Sequence, residues 1–572
     1  MTNAVGADAI ATAIEHRLAR WADEGVAERL WARDGSLWVA SGKRPEQVAA
    51  WLGWLDLPTS MTGRVGELER LARDVRVDGY SRAAVLGMGG SSLAPELFSR
   101  VIGDASAAST EGSGGGLELR ILDSTHPDAV RAFREWAEAA RTIFCVSSKS
   151  GSTTEPNAFH AAMSAHAPAL DFIAITDPDT VLAEIARSQG FRAIVEGEPD
   201  VGGRYSALSV FGLVPASLHG VDLAGLLSRA TAMADACRRP APSNPGLQLG
   251  AALGEAAQAG RDKLTILTSP RLASLADWIE QLVAESTGKS GLGIVPVVGE
   301  PIGEASAYGP DRQFVIITMA DDDDPTWPRL AAELERLGHP GQHIELGDPL
   351  DVGAEFVRWE VATAAAGMIL GIDPFDQPDV QAAKDATTAL LEAYRRDGAL
   401  PLPEPVAVEP GITAFADAAT FGQTPASVEG AVRAWLATAT AGDYVALLAF
   451  LPADPATVGQ LQRLRGTIRD RLGLATTMGF GPRFLHSTGQ LHKGGPASGL
   501  FLQITADPGR DLPIPGWAES FETLVAAQAA GDLAALQQRG RRVLRLHLAD
   551  PAAGLARLEA MMTTALAEIR PA

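Results

Sequence analysis

Two loops rich in glycine and hydroxyl side chains each follow a short apolar run. The first is LGMGGSSLAPEL (86–97), and the second is VSSKSGSTTEP (146–156), which has six serine or threonine hydroxyls, one lysine and one glycine within eight residues. Hydroxyls and the free N–H groups at a helix start can coordinate phosphate oxygens. Either loop alone could be a capped surface turn, but two in succession favour a phosphate site.

A helical segment, ADWIEQLVAESTGKSG (276–291), carries a candidate general base. Gln281 and Glu285 are four residues apart, so their side chains share one helix face. A glutamate at the mouth of an α/β sheet can remove a proton from carbon, although an exposed surface glutamate is the alternative. The final GKS lacks the glycine that a nucleotide P-loop has five residues before its last glycine, because Val283 stands there, which excludes that motif.

Two further segments offer cations and an amide. In DVGGRYSALS (200–209), two glycines precede Arg204, so the backbone could direct the guanidinium into a cleft. In GIDPFDQPDVQAAKDAT (371–387), Gln377 and Lys384 lie seven residues apart, about two helical turns, and could face one cleft. Each residue alone would more simply be placed at the surface.

The composition narrows the class of protein. The 572 residues have 46% hydrophobic content, a formal net charge of −22 and a sequence pI of about 4.9. A chain this acidic is a poor nucleic-acid or anionic-membrane binder, although a local pocket can still be positive. Its two cysteines exclude a disulfide framework. We expect no membrane segment, no signal peptide and a cytoplasmic location.

The sequence around these residues predicts alternating strands and helices. Short apolar runs such as AAVLGM, IFCVSS, LTILTS and FVIITM alternate with helical stretches, which predicts α/β domains with parallel sheets covered on both faces. Proline-rich stretches near 240 and 401 indicate boundaries. The predicted parts are a helical N-terminal region (1–76), a first α/β domain (77–240), a second (241–400) and a C-terminal α/β domain (401–572).

Together the five motifs resemble the glucose-6-phosphate isomerase family, which is built from two sugar-isomerase (SIS) domains. The motifs occur in the family's order over roughly 86–384. The stretch GFGPRFLHSTGQLHKGGP (479–496) resembles the isomerase half of transaldolase–glucose-6-phosphate isomerase fusions. The resemblance implies two three-layer αβα SIS domains and reversible isomerisation of glucose 6-phosphate and fructose 6-phosphate through an enediolate. The alternatives are another SIS isomerase, including one for mannose 6-phosphate, and a non-catalytic sugar-phosphate sensor.

The resemblance also implies roles for individual residues. Glu285 would be the base that moves a proton between C1 and C2, Arg204 would offset the enediolate charge, and Lys384 would assist ring opening. Gln281 and Gln377 would hold sugar hydroxyls. The residues implied for the phosphate are Gly90, Ser91, Ser148, Lys149, Ser150 and Thr153. No metal and no cofactor are implied, and a homodimer is favoured, with a monomer as the alternative.

One departure concerns ring opening. The family has a histidine after the base that protonates the ring oxygen, but no histidine stands between Glu285 and Arg312. The C-terminal segment offers His486 and His492 beside Lys493, and imidazole titrates near neutrality. We expect His492 to be the substitute, with a structural loop as the alternative.

Overall fold

A computed structural model describes residues 6–102, 115–401, 403–417 and 425–568. In these residues the chain forms three β-sheets surrounded by helices. The strands are β1 Arg82–Leu86, β2 Glu118–Leu122, β3 Thr142–Ser147, β4 Phe172–Thr176, β5 Ala193–Glu196, β6 Lys263–Thr268, β7 Val295–Val298, β8 Arg312–Met319, β9 Gly341–Leu346, β10 Ala407–Glu409, β11 Ile412–Ala416, β12 Tyr444–Phe450, β13 Ala475–Phe480, β14 Gly499–Ala506 and β15 Arg542–Leu548.

The helices surround and connect these strands. They are α1 Ala7–Asp23, α2 Val26–Trp31, α3 Pro45–Ala49, α4 Leu57–Ser60, α5 Val65–Val77, α6 Leu93–Val101, α7 Pro127–Glu138, α8 Thr154–Ser164, α9 Val181–Gln189, α10 Val210–His219, α11 Leu223–Ala236, α12 Pro245–Gln258, α13 Ala273–Thr287, α14 Thr326–Arg336, α15 Val352–Leu370, α16 Val380–Asp397, α17 Val428–Leu436, α18 Pro455–Leu472, α19 Gly489–Gly494, α20 Phe521–Gln538 and α21 Pro551–Glu568. None of these described helices has both the length and the apolar character needed to cross a membrane.

The first sheet places the two Gly/Ser-rich loops side by side. Its five strands are all parallel, in the order β2-β1-β3-β4-β5. The central strands are buried because helices cover both faces, as is usual for parallel sheets. Leu86 at the end of β1 pairs with Val146 in β3. The loops that follow these neighbouring strands therefore leave the sheet at the same edge, where α/β proteins bind ligands.

The second sheet carries the helix that ends in the candidate base. Its four parallel strands have the order β7-β6-β8-β9, and α13 follows β6. Two buried tryptophans of the N-terminal region pack against aromatic residues of the first and second domains. Trp38 contacts Phe375 with ring centroids 5.1 Å apart, and Trp54 stacks on Tyr205 at 5.2 Å. Trp51 differs, because 38% of it is exposed.

The third sheet contains elements that the sequence analysis missed. Its order is β10-β11-β15-β14-β12-β13. Strand β11 is antiparallel to both of its neighbours, and the pairs from β15 to β13 are parallel. The α/β fold class with parallel sheets is confirmed. Strands β10, β11 and β13 were not predicted, because β10 has three residues and β13, ATTMGF, carries few large apolar side chains. We retain the predicted domain boundaries as a proposal.

The C-terminal domain packs directly on the helices of the other two domains. Ala284 of α13 lies in one apolar cluster with Phe484 and Leu491 of the third domain. Phe159 of α8 stacks on Phe521 of α20 with ring centroids 6.3 Å apart. These contacts bring the segment 483–494 to the carboxyl edges of the first two sheets.

A buried side-chain amide joins the third domain to two helices of the second domain, α13 and α16. The Gln490 side chain donates to the carbonyl of Gly288, at the end of α13 (2.9 Å), and to the carboxylate of Asp379, which precedes α16 (2.7 Å). Its oxygen accepts from the Asp379 N–H at 2.9 Å. One side chain thus fixes the end of α13 relative to the start of α16.

A buried ion pair of the second domain accepts hydrogen bonds from the third domain. Arg312 of β8 contacts both carboxylate oxygens of Glu300 at 3.1 Å, and Thr476 of β13 donates to the same carboxylate through its N–H (2.9 Å) and hydroxyl (2.7 Å). Burial raises the pKa of Glu300, but the charges of Arg312 and Arg465 outweigh it and hold the pKa below its usual value.

Removal of this carboxylate should destabilise the chain strongly. Glu300→Ala leaves the Arg312 guanidinium, which is 0% exposed, without its counterion. We expect the free energy of unfolding to fall by about 3–5 kcal/mol, the usual cost of breaking a buried pair from one side. The measurement is guanidinium unfolding followed by tryptophan fluorescence. Glu335→Ala, an exposed glutamate of α14, is the matched control, and equal effects of the two variants would contradict the prediction.

Candidate active site

Glu285 lies in the last turn of α13 and is 8% exposed. The helix buries an apolar stripe that includes Trp278 and Leu282, which fixes the direction of the carboxylate. Gln281, one turn earlier, donates its amide to Glu285 at 3.3 Å. Burial raises the pKa of Glu285, and the charges of Arg204 and three other cations offset this only in part. A carboxylate with a raised pKa is suited to act as a general base near neutral pH.

Arg204 is fixed beside this carboxylate in the short 3-10 helix Gly203–Tyr205. Its Nη1 lies 3.7 Å from Glu285 Oε2 and donates to Gln377 Oε1 at 2.5 Å. Its Nε donates to the Ser286 hydroxyl at 2.8 Å, and its Nη2 donates to the carbonyls of Pro374 (2.7 Å) and Asp376 (2.8 Å). The guanidinium is 2% exposed and cannot turn away from the site without leaving these acceptors unpaired.

Lys289, which the sequence analysis did not select, holds the turn whose carbonyls accept hydrogen bonds from Arg204. Lys289 donates to the carbonyls of Asp373 and Asp376, both at 2.6 Å, and to the Asp376 carboxylate at 2.8 Å. Burial, together with the charge of Arg204, lowers the pKa of Lys289 to about 8. The residue therefore holds the turn at 373–376, whose carbonyls receive Arg204.

The first Gly-rich loop touches this group closely. Gly89 has φ +53°, and a Cβ there would lie 2.8 Å from the Gln281 amide and 2.9 Å from the carbonyl of His486. A Cβ at Gly90 would lie 1.9 Å from the carbonyl of Gly203. These glycines let the loop pack against the elements that carry Arg204 and Gln281. Ser91 follows in the same turn and is buried.

The side chains of the second loop have two separate sets of partners. Ser148 donates its hydroxyl to Thr153 at 2.9 Å, and the hydroxyls of Ser150 and Ser152 lie 3.1 Å apart. Lys149 instead donates to the Asp177 carboxylate at 2.5 Å and to the carbonyl of Glu198 at 3.0 Å. The structure therefore pairs Lys149 with groups behind the loop, and does not bring it to the cavity that the hydroxyls face.

That cavity has a volume of about 340 Å³. Its polar walls come from the second loop, from α16 with Lys384, and from the third domain with His486. The polar lining residues are Ser150, Ser152, Thr153, Thr154, Glu155, Gln381, Lys384, Thr387, Thr388, His486, Lys493 and Gln528. The volume is within the usual range for a small-molecule site.

A histidine–glutamate pair stands in this cavity. His486 Nε2 lies 3.0 Å from Glu155 Oε1, and Gln528 donates to the same oxygen at 2.7 Å. Burial raises the pKa of Glu155, but the charge and hydrogen bond of His486 outweigh it and hold the pKa below its usual value. Glu155 stands in the second motif, but the sequence analysis did not select it. Its partners, His486 and Gln528, lie 331 and 373 residues away in the sequence, so no local pattern indicates its role.

The structure does not bring His492 to the cavity. Its ring lies near the rings of Phe484 and Phe501, with centroids 6.0 and 5.1 Å away, and 2% of the residue is exposed. Burial, with the charges of Lys493 and Arg541, lowers the pKa of His492 well below its usual value. The expectation that His492 replaces the family histidine is corrected accordingly: of the two histidines in this segment, His486 reaches the cavity.

The chain is similar in sequence to known proteins, although no family model matches it. A glucose-6-phosphate isomerase from Rubrobacter xylanophilus is 29% identical over 387 residues, covering 59% of this chain and 89% of the relative. One from Synechococcus sp. (strain JA-3-3Ab) is also 29% identical, covering 54% of this chain and 66% of the relative. The chain is a homologue of glucose-6-phosphate isomerases. The resemblance inferred from the five motifs is thereby confirmed.

A solved structure shares the fold. The crystal structure of a glucose-6-phosphate isomerase from Chlamydia trachomatis superposes with a TM-score of 0.51 at 17% identity, covering 68% of this chain and 86% of that one. The likeness at this identity concerns the fold. The two-domain αβα architecture of glucose-6-phosphate isomerases is thus present here.

The raised pKa of Glu285 should make stability depend on pH. The folded chain keeps the proton of Glu285 to a higher pH than the unfolded chain, so the contribution of this group to stability falls as the pH rises through that interval. Glu285→Gln removes this dependence. We therefore expect the variant to gain free energy of unfolding relative to wild type as the pH rises above about 4, the ordinary pKa of a glutamate.

Denaturant unfolding of both proteins at several pH values measures the difference. Glu335→Gln, an exposed helix residue, serves as the control and should leave the difference independent of pH. A constant difference for Glu285→Gln over this range would contradict the prediction.

Proposed function

We propose that the chain interconverts glucose 6-phosphate and fructose 6-phosphate. The observation that carries the proposal is the buried Glu285 carboxylate beside the fixed Arg204 guanidinium. The Gln281 amide connects Glu285 to the carbonyl of His486, a residue of the cavity that hydroxyls and Lys384 also line. The names of the relatives support the choice of substrate. The SIS-type fold shared with a solved glucose-6-phosphate isomerase is consistent with it.

Proton transfer is the central step of the proposed reaction. Glu285 removes the C2 proton from the open-chain aldose and returns it to C1, while the O2 hydroxyl proton passes to O1, which yields the ketose. Negative charge develops on the enediolate oxygens between these two transfers. Arg204 is held in place before the substrate arrives, so it stabilises that charge without reorganisation.

The phosphate is proposed to lie at the second loop. Ser150, Ser152 and Thr153 line the cavity just before and at the start of α8, an eleven-residue helix, and the N-terminus of a helix favours an anion. Lys384 adds a positive charge at the same cavity. Hydroxyls, helix N–H groups and one ammonium are suitable partners for a phosphate dianion without a metal.

Two wider features complete the proposal. We propose a cytoplasmic location, for which the support is the family resemblance. We also propose a homodimer, for which the support is the family resemblance.

The decisive experiment compares wild type with Glu285→Gln. In a coupled assay that reports glucose 6-phosphate formed from fructose 6-phosphate, the variant should lose about 100- to 10,000-fold in kcat, the range for loss of a general base. Glu335→Gln should keep full activity. Full activity of Glu285→Gln would refute the proposed function.

Thr153 offers a test of the phosphate site. Thr153→Val removes a hydroxyl that accepts from Ser148 and lines the cavity. A sugar-acid 6-phosphate inhibitor should then bind about 5- to 150-fold more weakly, which corresponds to about 1–3 kcal/mol for an unmatched polar partner. The control is Thr467→Val, whose exposed hydroxyl bonds only to the carbonyl of Arg463 among the described residues. An unchanged inhibition constant for Thr153→Val would place the phosphate elsewhere.

A further inference from the structure

The third domain contributes a histidine to the cavity of the first two. His486 lies in the short 3-10 helix Arg483–His486, and it lines the cavity together with Lys384 and the loop hydroxyls. We infer that His486, supplied by the C-terminal domain of the same chain, is the catalytic acid and base that opens and closes the sugar ring. The inference rests on the proposed isomerase function and adds to it a residue outside the five motifs.

The two nitrogens of His486 have different surroundings. Nε2 lies 3.0 Å from Glu155 Oε1. Because a carboxylate oxygen accepts, Nε2 carries the ring proton and donates a hydrogen bond to Glu155. Within the part of the chain that the structure describes, Nδ1 forms no hydrogen bond to a protein group. The side chain is 19% exposed, toward the cavity that it lines. Nδ1 is therefore the nitrogen available to a sugar oxygen.

Glu155 is placed to act as a positioning residue for this ring. The carboxylate is 5% exposed and accepts from Gln528 at 2.7 Å, and the Gln528 oxygen accepts from the Thr125 hydroxyl at 2.7 Å. These bonds fix the oxygen that receives His486 Nε2. A fixed carboxylate at one imidazole nitrogen sets the orientation of the ring and the tautomer that it presents to the substrate.

The backbone of His486 is fixed as firmly as its ring. Its carbonyl accepts from the Gln281 amide at 2.7 Å, and the same amide contacts Glu285 at 3.3 Å. At the other end of the 3-10 helix, Arg483 pairs with Glu96 at 2.5 Å and Asp123 at 3.1 Å, both on the first domain. The segment is therefore anchored to the first domain through Arg483 and to the catalytic helix through Gln281.

The chemical step is a proton transfer coupled to one bond cleavage. The C1–O5 bond of the cyclic sugar breaks, and O5 takes the proton from Nδ1 of the imidazolium. The C1 hydroxyl gives its proton to water, so that C1 becomes the aldehyde carbon. In ring closure the neutral imidazole takes the proton back from O5. No electrons are exchanged with another group.

The test separates ring opening from proton transfer at carbon. Glucose 6-phosphate must open before Glu285 can act. Erythrose 4-phosphate cannot form a five- or six-membered ring, because its O4 carries the phosphate, so exchange of its C2 proton in D₂O needs only the base. His486→Gln should lower kcat for glucose 6-phosphate about 100-fold or more, while NMR shows C2 exchange in erythrose 4-phosphate within about 3-fold of wild type.

Four further measurements complete the comparison. Glu285→Gln should lose both activities. His547→Gln, which removes another part-exposed histidine of the same domain, should lose neither. Glu155→Gln keeps a hydrogen bond but removes the charge behind His486, so it should show a smaller selective loss with the cyclic substrate. Free imidazole added to His486→Ala should restore part of the turnover of the cyclic substrate and leave the exchange reaction unchanged.

The outcomes distinguish the role of His486 from the proposed isomerase function. A selective loss with imidazole rescue supports the role of His486. Equal losses with both substrates, or no loss at all, in a wild-type background that is active would overturn that role and leave the isomerase function standing. A wild-type chain that acts on neither substrate would overturn the proposed function, and the role of His486 with it.

Discussion

The arrangement of the site depends on a carboxylate that is buried next to an arginine but not fully neutralised by it. Glu285 receives one amide, from Gln281, and its nearest contact to Arg204 is 3.7 Å long. The guanidinium cannot come closer, because its donors are held by Ser286, Gln377 and two backbone carbonyls. The pKa of Glu285 therefore stays raised. An arginine free to form a bidentate pair would have lowered that pKa and weakened the base.

The third domain is part of the same arrangement. The His486 carbonyl occupies the Gln281 amide that also contacts Glu285, and Gln490 holds the end of α13 against the start of α16. Buried amides of this kind are expensive to leave unpaired, so each one restricts the site to a single geometry. The C-terminal domain thus fixes the position of the catalytic helix as well as supplying groups to the cavity.

The sequence was most informative where chemistry is local. Glu285 and Gln281 share a helix face, and Arg204 follows its glycines, so short patterns sufficed to select them. The strands β1 to β9 were also readable from their apolar runs. The side chains of Lys149 and His492 lie away from the cavity, which the sequence did not indicate because their partners are set by the fold: Asp177 for the first, and Phe484 and Phe501 for the second. Glu155 and Lys289 were overlooked for the same reason, since their partners at 486, 373 and 376 are fixed only by the fold.

The contact between Glu155 and Gln528 spans 373 residues of sequence. Loop closure over such a distance is entropically unfavourable until the domains on either side have formed, whereas the first parallel sheet closes over much shorter segments. During refolding, helical content and the first sheet should thus recover before the cavity wall does. Return of enzymatic activity would then lag behind return of secondary structure, and the faces around Phe159 and Phe521 would stay open to solvent, and to association with other chains, for that interval.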